Sequence, residues 1–318
     1  MTGFAYTFAN GRGTRAAIPD ALATGGAGLV WIHLSTTNEH AQATLAEQAH
    51  LPDFVVTALT SAETRPRCDK MGNGILLNLR GLSPEQLDPS DALASVRIYA
   101  EGNRVYSVTR KPLTATDLVC QDAESGDIKD IGDLLARFAT AITELLDPEI
   151  AALGDSLDDC EAALDGGEIY ELRRRVAQVR VQAINYRRFV QPQRSALEKL
   201  ATLPVPWLQD DDRLHLSAAA DRAARMAEEL ESIRERAAVT NDALTDLRSE
   251  QIDQRSLVLG ILAVIFLPLT FITGLLGMNV GGIPDAEDPK AFWEVVALCA
   301  AIAVALWFWF SRRHWLKR

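Results

Sequence analysis

The chain has 318 residues, 48% of them hydrophobic and 24% charged, a balance that excludes a disordered or collagen-like polymer and leaves a globular or membrane protein. Its formal charge of −11 excludes the basic face that nucleic-acid binding requires. Four scattered cysteines (Cys68, Cys120, Cys160, Cys299) without a CxxC pair point to a reducing compartment, and the first residues do not read as a signal peptide.

Residues 1–125 alternate short β-type runs with helical ones. Residues 4–8, 29–34, 74–79, 96–99 and 104–108 read as strands, and 41–50 and 53–59 as helices. An α/β domain is expected there. From about residue 127 to 255 the chain reads as nearly all helix, with breaks expected at Gly166-Gly167, at Pro192 and across 203–212. Residues 138–172 hold ten acids and no base, whereas 173–194 hold seven bases and no acid. An antiparallel hairpin over 126–204, its arms attracted to one another, follows from that segregation.

A long stalk helix is expected over 205–256, with Asp210-Asp211-Asp212 supplying cap and first-turn acids. Its apolar stripe runs Leu216, Ala219, Ala223, Met226, Leu230, Ile233, Ala237, Thr240, Leu244, Leu247, in steps of three and four. A second row at seven-residue steps reads Asp221, Glu228, Glu235, Asp242, Ser249, Ser256, Ala263, Thr270, Gly277. It is acidic at first and small or hydroxylic later. Neither glycine nor proline interrupts 213–259, so the stalk is expected to continue into the apolar run that follows.

That run, 257–276, is twenty residues without a charge, enough to cross a bilayer core of about 30 Å. A first transmembrane helix is expected over 257–279, an external loop over 280–291, a second transmembrane helix over 292–311 and a basic tail over 312–318. Trp293 flanks the second apolar run on one side and Trp307, Trp309 and Trp315 on the other, as interfacial aromatics do. The tail holds four basic residues and the loop only Lys290 against Asp285, Glu287 and Asp288. By the positive-inside rule both termini are cytoplasmic.

The first span closes on Leu267-Pro268-Leu269-Thr270-Phe271-Ile272-Thr273-Gly274-Leu275-Leu276-Gly277-Met278-Asn279. A Gly-Met-Asn triplet at that place, before a short loop, a last span and a basic tail, resembles the CorA family of divalent-cation transporters. The loop Asn279-Val280-Gly281-Gly282-Ile283-Pro284 looks like the zinc-transporting ZntB branch. Trp31-Ile32-His33-Leu34, Glu63-Thr64-Arg65-Pro66-Arg67 and Leu79-Arg80-Gly81 agree with it, and the acids after Pro284 depart from it. The resemblance implies an α+β membrane protein of a bacterial inner membrane: a cytoplasmic α/β domain, a helical stalk and two C-terminal spans, in a funnel-shaped homopentamer. It implies zinc uptake with proton coupling, and no enzymatic activity. Gly277, Met278 and Asn279 would form the selectivity element, Asn279 meeting the ion through its hydration water. Ser256, Leu259, Ala263, Leu267, Thr270 and Gly274 would line the pore. The only expected partners are further copies, lipid and the transported ion, with no permanently bound cofactor.

The residues themselves leave other readings open. Residues 256–279 contain no His, Cys, Asp or Glu, while directly bound zinc favours nitrogen and sulfur ligands. A path of hydroxyls, backbone and one carboxamide suits an ion that keeps its water, as Mg²⁺ does, so Mg²⁺, Co²⁺ and Ni²⁺ remain alternatives to Zn²⁺. A non-conducting, membrane-anchored coiled-coil sensor is the reading from another class. His215 near Asp212 is a candidate regulatory metal ligand, and Arg65, Arg67 and Arg80 are candidates for anion binding or for local ion pairs.

Overall fold

The computed structural model describes the chain apart from residues 1–2, 10, 27, 36–40, 63–64, 86–92, 165, 167, 282, 284–287, 289 and 313–318. It divides into two compact units, Met1–Asn241 and Asp242–Arg318.

The first unit is built on a seven-stranded sheet of order β2-β1-β3-β7-β6-β5-β4. The strands are β1 (Gly3–Ala9), β2 (Arg12–Ala16), β3 (Val30–Ser35), β4 (Arg67–Met71), β5 (Gly74–Leu82), β6 (Leu93–Glu101) and β7 (Arg104–Thr109). Only β3 and β7 pair in parallel. Four of the five expected strands fall within β1, β5, β6 and β7, and the fifth, 29–34, starts one residue ahead of β3. The edge strands β2 and β4 were not expected: Arg-Gly-Thr-Arg-Ala and Arg-Cys-Asp-Lys-Met lack the apolar alternation of a half-buried strand, because each pairs along one edge only.

Both faces of the central strands are covered, which is why β5 and β6 are buried almost throughout. One face packs on α1 (Ile18–Ala23), α2 (Ala41–Ala43), the π-helical stretch Thr44–Gln48 and α3 (Asp53–Thr60), through Val30, Ile32, Leu34, Leu45, Val55 and Leu59. The other meets α4 (Thr114–Ser125) and α5 (Ile131–Ala162). There Trp31 packs edge-on against Phe138 at 5.6 Å. Gly81 lets α5 approach, since a Cβ would sit 3.1 Å from Ile142. Trp31 donates to the Ser107 hydroxyl at 2.8 Å, and His33 holds the same hydroxyl at 2.8 Å through Nδ1 while stacking on Phe4. Burial pushes the His33 imidazole down to about 4.

α5 and α6 (Ile169–Ala201) are long helices separated by a short turn. The expected break at Pro192 does not occur. α6 continues through it, although a proline inside a helix costs about 3 kcal/mol. Contacts next to the proline offset that cost: buried Gln193 accepts a hydrogen bond from the Arg80 amide at 2.8 Å, and Phe189 stacks 3.8 Å under the Arg80 guanidinium. The arms' opposite charges also act differently from expectation. Among the described residues one ion pair joins them, Arg175–Asp159 at 4.0 Å. More of their ion pairs reach the next helix, α7 (Asp210–Leu276): Arg236 pairs with Asp158 and Glu161 of α5, Arg222 with Glu144, and Arg187 of α6 with Glu231.

α7 is a single helix of 67 residues. Along its first part, Leu216, Ala219, Ala223, Met226, Leu230, Ile233, Ala237, Thr240 and Leu244 are all buried, and Leu247 is half-buried. The second unit holds the rest of α7 and α8 (Ala291–Arg312). Both of these stretches are apolar enough to span a bilayer, yet only 6% and 0% of their most apolar windows are buried.

Candidate ion pathway

The proposed pore residues Ser256, Leu259, Ala263, Leu267, Thr270 and Gly274 all lie on α7 and all are exposed, Leu259 at 67% and Leu267 at 73%. A face of leucines, small residues and hydroxyls left bare in one chain is stable only against lipid or other helices. The Thr270 hydroxyl donates to the Phe266 carbonyl at 2.8 Å, and that of Thr273 to Leu269 at 3.0 Å. Each oxygen therefore spends its proton on the backbone and turns its lone pairs outward, the orientation a cation's positive field favours. Thr273 was absent from the expected set; its three-residue step from Thr270 was the available signal. The helix runs through Pro268, which leaves the Val264 carbonyl without its helical donor.

α7 ends at Leu276, so the triplet Gly277-Met278-Asn279 follows directly. The Gly277 amide donates to the Thr273 carbonyl at 2.9 Å. A Cβ at Gly277 would stand 3.0 Å from that carbonyl. Met278 is 48% exposed, and Asn279 is exposed in irregular backbone. The remaining carbonyls of the last turn have no helical partner, and a carboxamide beside them adds one acceptor and two donors.

Of the loop acids, Asp285 and Glu287 lie outside the described residues. Asp288 caps the second apolar helix: its carboxylate accepts from the Lys290 amide at 2.9 Å and its carbonyl from the Ala291 amide at 3.1 Å. The bare aromatics Trp293, Trp307 and Trp309 sit towards the ends of α8.

The acidic row Asp221, Glu228, Glu235, Asp242 is exposed along α7. Among the described residues none of the four makes an ion pair within 4 Å. Asp221 and Glu228 lie near enough to Arg194 to help raise its pKa, mainly set by Glu198.

His215 stands 3.6 Å from Asp211 on an exposed helix turn and does not join Asp212. The carboxylates that do gather are Asp130, Asp133 and Asp212, all within 4.8 Å. Each has a capping role. Asp130 accepts from the Asp133 amide at the start of α5, Asp133 from the Lys129 amide, and Asp212 from the Gln209 amide at the start of α7. Burial, opposed by the Gln209 amide and reinforced by the neighbouring acids, pushes the Asp212 carboxyl up to about 6. Two helix starts with short-range acid spacings were the signal for this cluster. Arg67 pairs with Asp69 at 3.6 Å, and Arg80 is taken up by Phe189.

The family model described as "CorA-like Mg2+ transporter protein" matches residues 26–313. The zinc transport protein ZntB of Pectobacterium atrosepticum is 32% identical over 287 residues, 90% of this chain and 88% of that protein. The divalent cation transporter CmaX of Pseudomonas aeruginosa is 33% identical over 297 residues, covering 90% of this chain and 87% of its own. A solved full-length CmaX structure superposes with a TM-score of 0.78 at 31% identity over 98% of both chains.

Proposed function

This chain belongs to the CorA-like family of divalent-cation transporters, and we propose that it carries zinc into the cytoplasm of a bacterium through the axis of an inner-membrane homopentamer. It is a transporter, not an enzyme. Zinc as cargo rests on the ZntB relatives. The pore reading rests on one observation above the others: a transmembrane stretch whose hydroxyl and glycine row is wholly exposed and ends directly at Gly277-Met278-Asn279. One such helix per chain cannot enclose a channel, so several copies must surround it.

In this reading the row Ser256, Ala263, Thr270, Gly277 lines the path, with Gly274 beside it and Leu259 and Leu267 narrowing it as apolar constrictions. The threonine oxygens and freed carbonyls face the ion's water shell, and Asn279 selects at the outer mouth without stripping that shell. Asp288, with Asp285 and Glu287, gives the outer loop a negative charge that attracts cations. Four basic residues in the tail against one in the loop favour cytoplasmic termini. A divalent ion moving into a cell negative inside gains about 4.6 kcal/mol per 100 mV, twice the single-charge value. That gain drives uptake.

A second reading, a magnesium or cobalt channel, is favoured by the absence of His, Cys, Asp and Glu over 256–279. Uptake of Zn²⁺, Mg²⁺ and Co²⁺ into proteoliposomes, with and without a pH gradient, separates the two. Zinc uptake that rises with an inward proton gradient supports the first; Mg²⁺ or Co²⁺ uptake without Zn²⁺ replaces it with the second.

A further inference from the structure

One face of α6 is apolar, basic and uncovered. Tyr170, Val181 and Ile184 are 78%, 55% and 46% exposed. Arg174, Ala177 and Arg188 complete the stripe, and all are exposed. Steps of four and three residues keep the whole set on one side of the helix. Arg180 flanks it. Among the described residues Arg174, Arg180 and Arg188 make no ion pair within 4 Å, although the chain as a whole is strongly acidic; Arg188 rests only near the Phe189 ring, at 5.7 Å.

A second uncovered face, on α7, has the opposite character. Among the described residues its Asp221, Glu228 and Glu235 make no ion pair within 4 Å, with Arg194 near the first two, and beside them Leu214 and Val239 are 69% and 71% exposed. Each face therefore combines protruding apolar side chains with unpaired charge of one sign, and the signs are complementary.

The register agrees as well. α6 and α7 run antiparallel within the chain: Arg187 meets Glu231 at 3.0 Å, and Arg213 reaches back to the Ala201 carbonyl. Arg188 thus lies at the level of Glu228, and Val181, beside Arg180, at the level of Glu235. Rotation about an axis along these helices moves a copy sideways and keeps every residue at its level. The seven-residue spacing from Val181 to Arg188 equals that from Glu228 to Glu235, so one contact brings the other with it.

We propose that the Tyr170, Val181, Ile184 stripe of α6, with Arg174, Arg180 and Arg188, docks on the acidic face of α7 in a second copy of this chain. Two different faces that fit each other make a head-to-tail contact, the kind that closes into a ring. The proposal rests on the ring reading above and adds its cytoplasmic contact. It also assigns Glu228 and Glu235 to the boundary between copies.

Cysteine pairing tests the contact in the full chain, in detergent. Val181→Cys with Glu235→Cys, oxidised, should give a ladder of covalently linked copies at least tenfold stronger than either single variant, whose native cysteines serve as the control. Arg188→Glu and Glu228→Arg should each lower the pentamer fraction by native mass spectrometry, and the two together should restore it. A pentameric mass without the ladder, or a disulfide formed only within single chains, overturns the contact and leaves the ring standing. A single-chain mass for the unmodified protein overturns the ring and the contact together.

Discussion

The two parts of α7 differ in what surrounds their apolar residues. In the first, the leucines and alanines recur every three or four positions and are buried against the rest of their unit, while charged residues occupy the other faces. In the second, apolar residues occupy every face and almost none is buried. Hydrophobicity alone does not separate the two; the arrangement around the helix does. A stripe marks packing within a chain, and an unbroken apolar cylinder marks a helix whose solvent is not water.

The sharpest way to break that comparison is at the end of the exposed part. Asn279→Gly retains whatever capping the position provides, because glycine takes the left-handed conformation freely. It removes the carboxamide. Transport should fall by at least tenfold with an unchanged melting temperature and oligomer mass; retained transport would make Asn279 a cap and nothing more. Leucines sharpen the contrast further along. Leu230→Ala in the buried stripe should destabilise the Met1–Asn241 unit by about 2–5 kcal/mol in urea unfolding. Leu267→Ala, bare in the single chain, should stay within about 0.5 kcal/mol and change the uptake rate instead. Equal destabilisation at both sites would erase the distinction.

Acid should act on the Met1–Asn241 unit. His33 is buried with its pKa lowered from 6.5 to about 4, so between those values the unfolded chain takes up a proton that the folded one refuses. The His33 contribution is full above pH 6.5 and falls as pH drops towards 4, by at most about 3 kcal/mol, while Asp212, raised from 3.8 to about 6, acts with the opposite sign below pH 6. His33→Gln should flatten that slope in unfolding measured from pH 7 to 4. The smallest effect is expected at Arg236, paired with Asp158 and Glu161 but 42% exposed. Arg236→Ala should cost about 0–1 kcal/mol, less as salt is raised.

Periodic features were legible before any coordinates: the central strands, the stripe of α7 and the two apolar runs each repeat a local rule many times. Features that depend on a distant partner were not. β2 and β4 look like loops because half of each strand's environment is solvent, and Pro192 looks like a break because Gln193 and Phe189, which hold the helix there, act across to Arg80. The opposite charge of the two arms suggests that they pair with one another, whereas more of their ion pairs reach α7, a helix further along the chain. In the proposed pathway, the glycine, threonine and asparagine positions are candidates on sequence alone. The orientation of the threonine hydroxyls did not, because it is set by backbone carbonyls one turn away.

Each outermost strand of the sheet lies beside a helix, β2 beside α4 and β4 beside α6. An open strand edge is a template for another chain. In the proposed ring, identical sheets would be held together at an effective concentration that short tethers bring to about the millimolar range, where an unguarded edge would pair with its neighbour's. The charged residues of those outer strands, Arg12 and Arg15 on β2 and Arg67, Asp69 and Lys70 on β4, disfavour that alternative. Side-chain faces are then the surfaces left for copies to recognise, and assembly can proceed without passing through an aggregate.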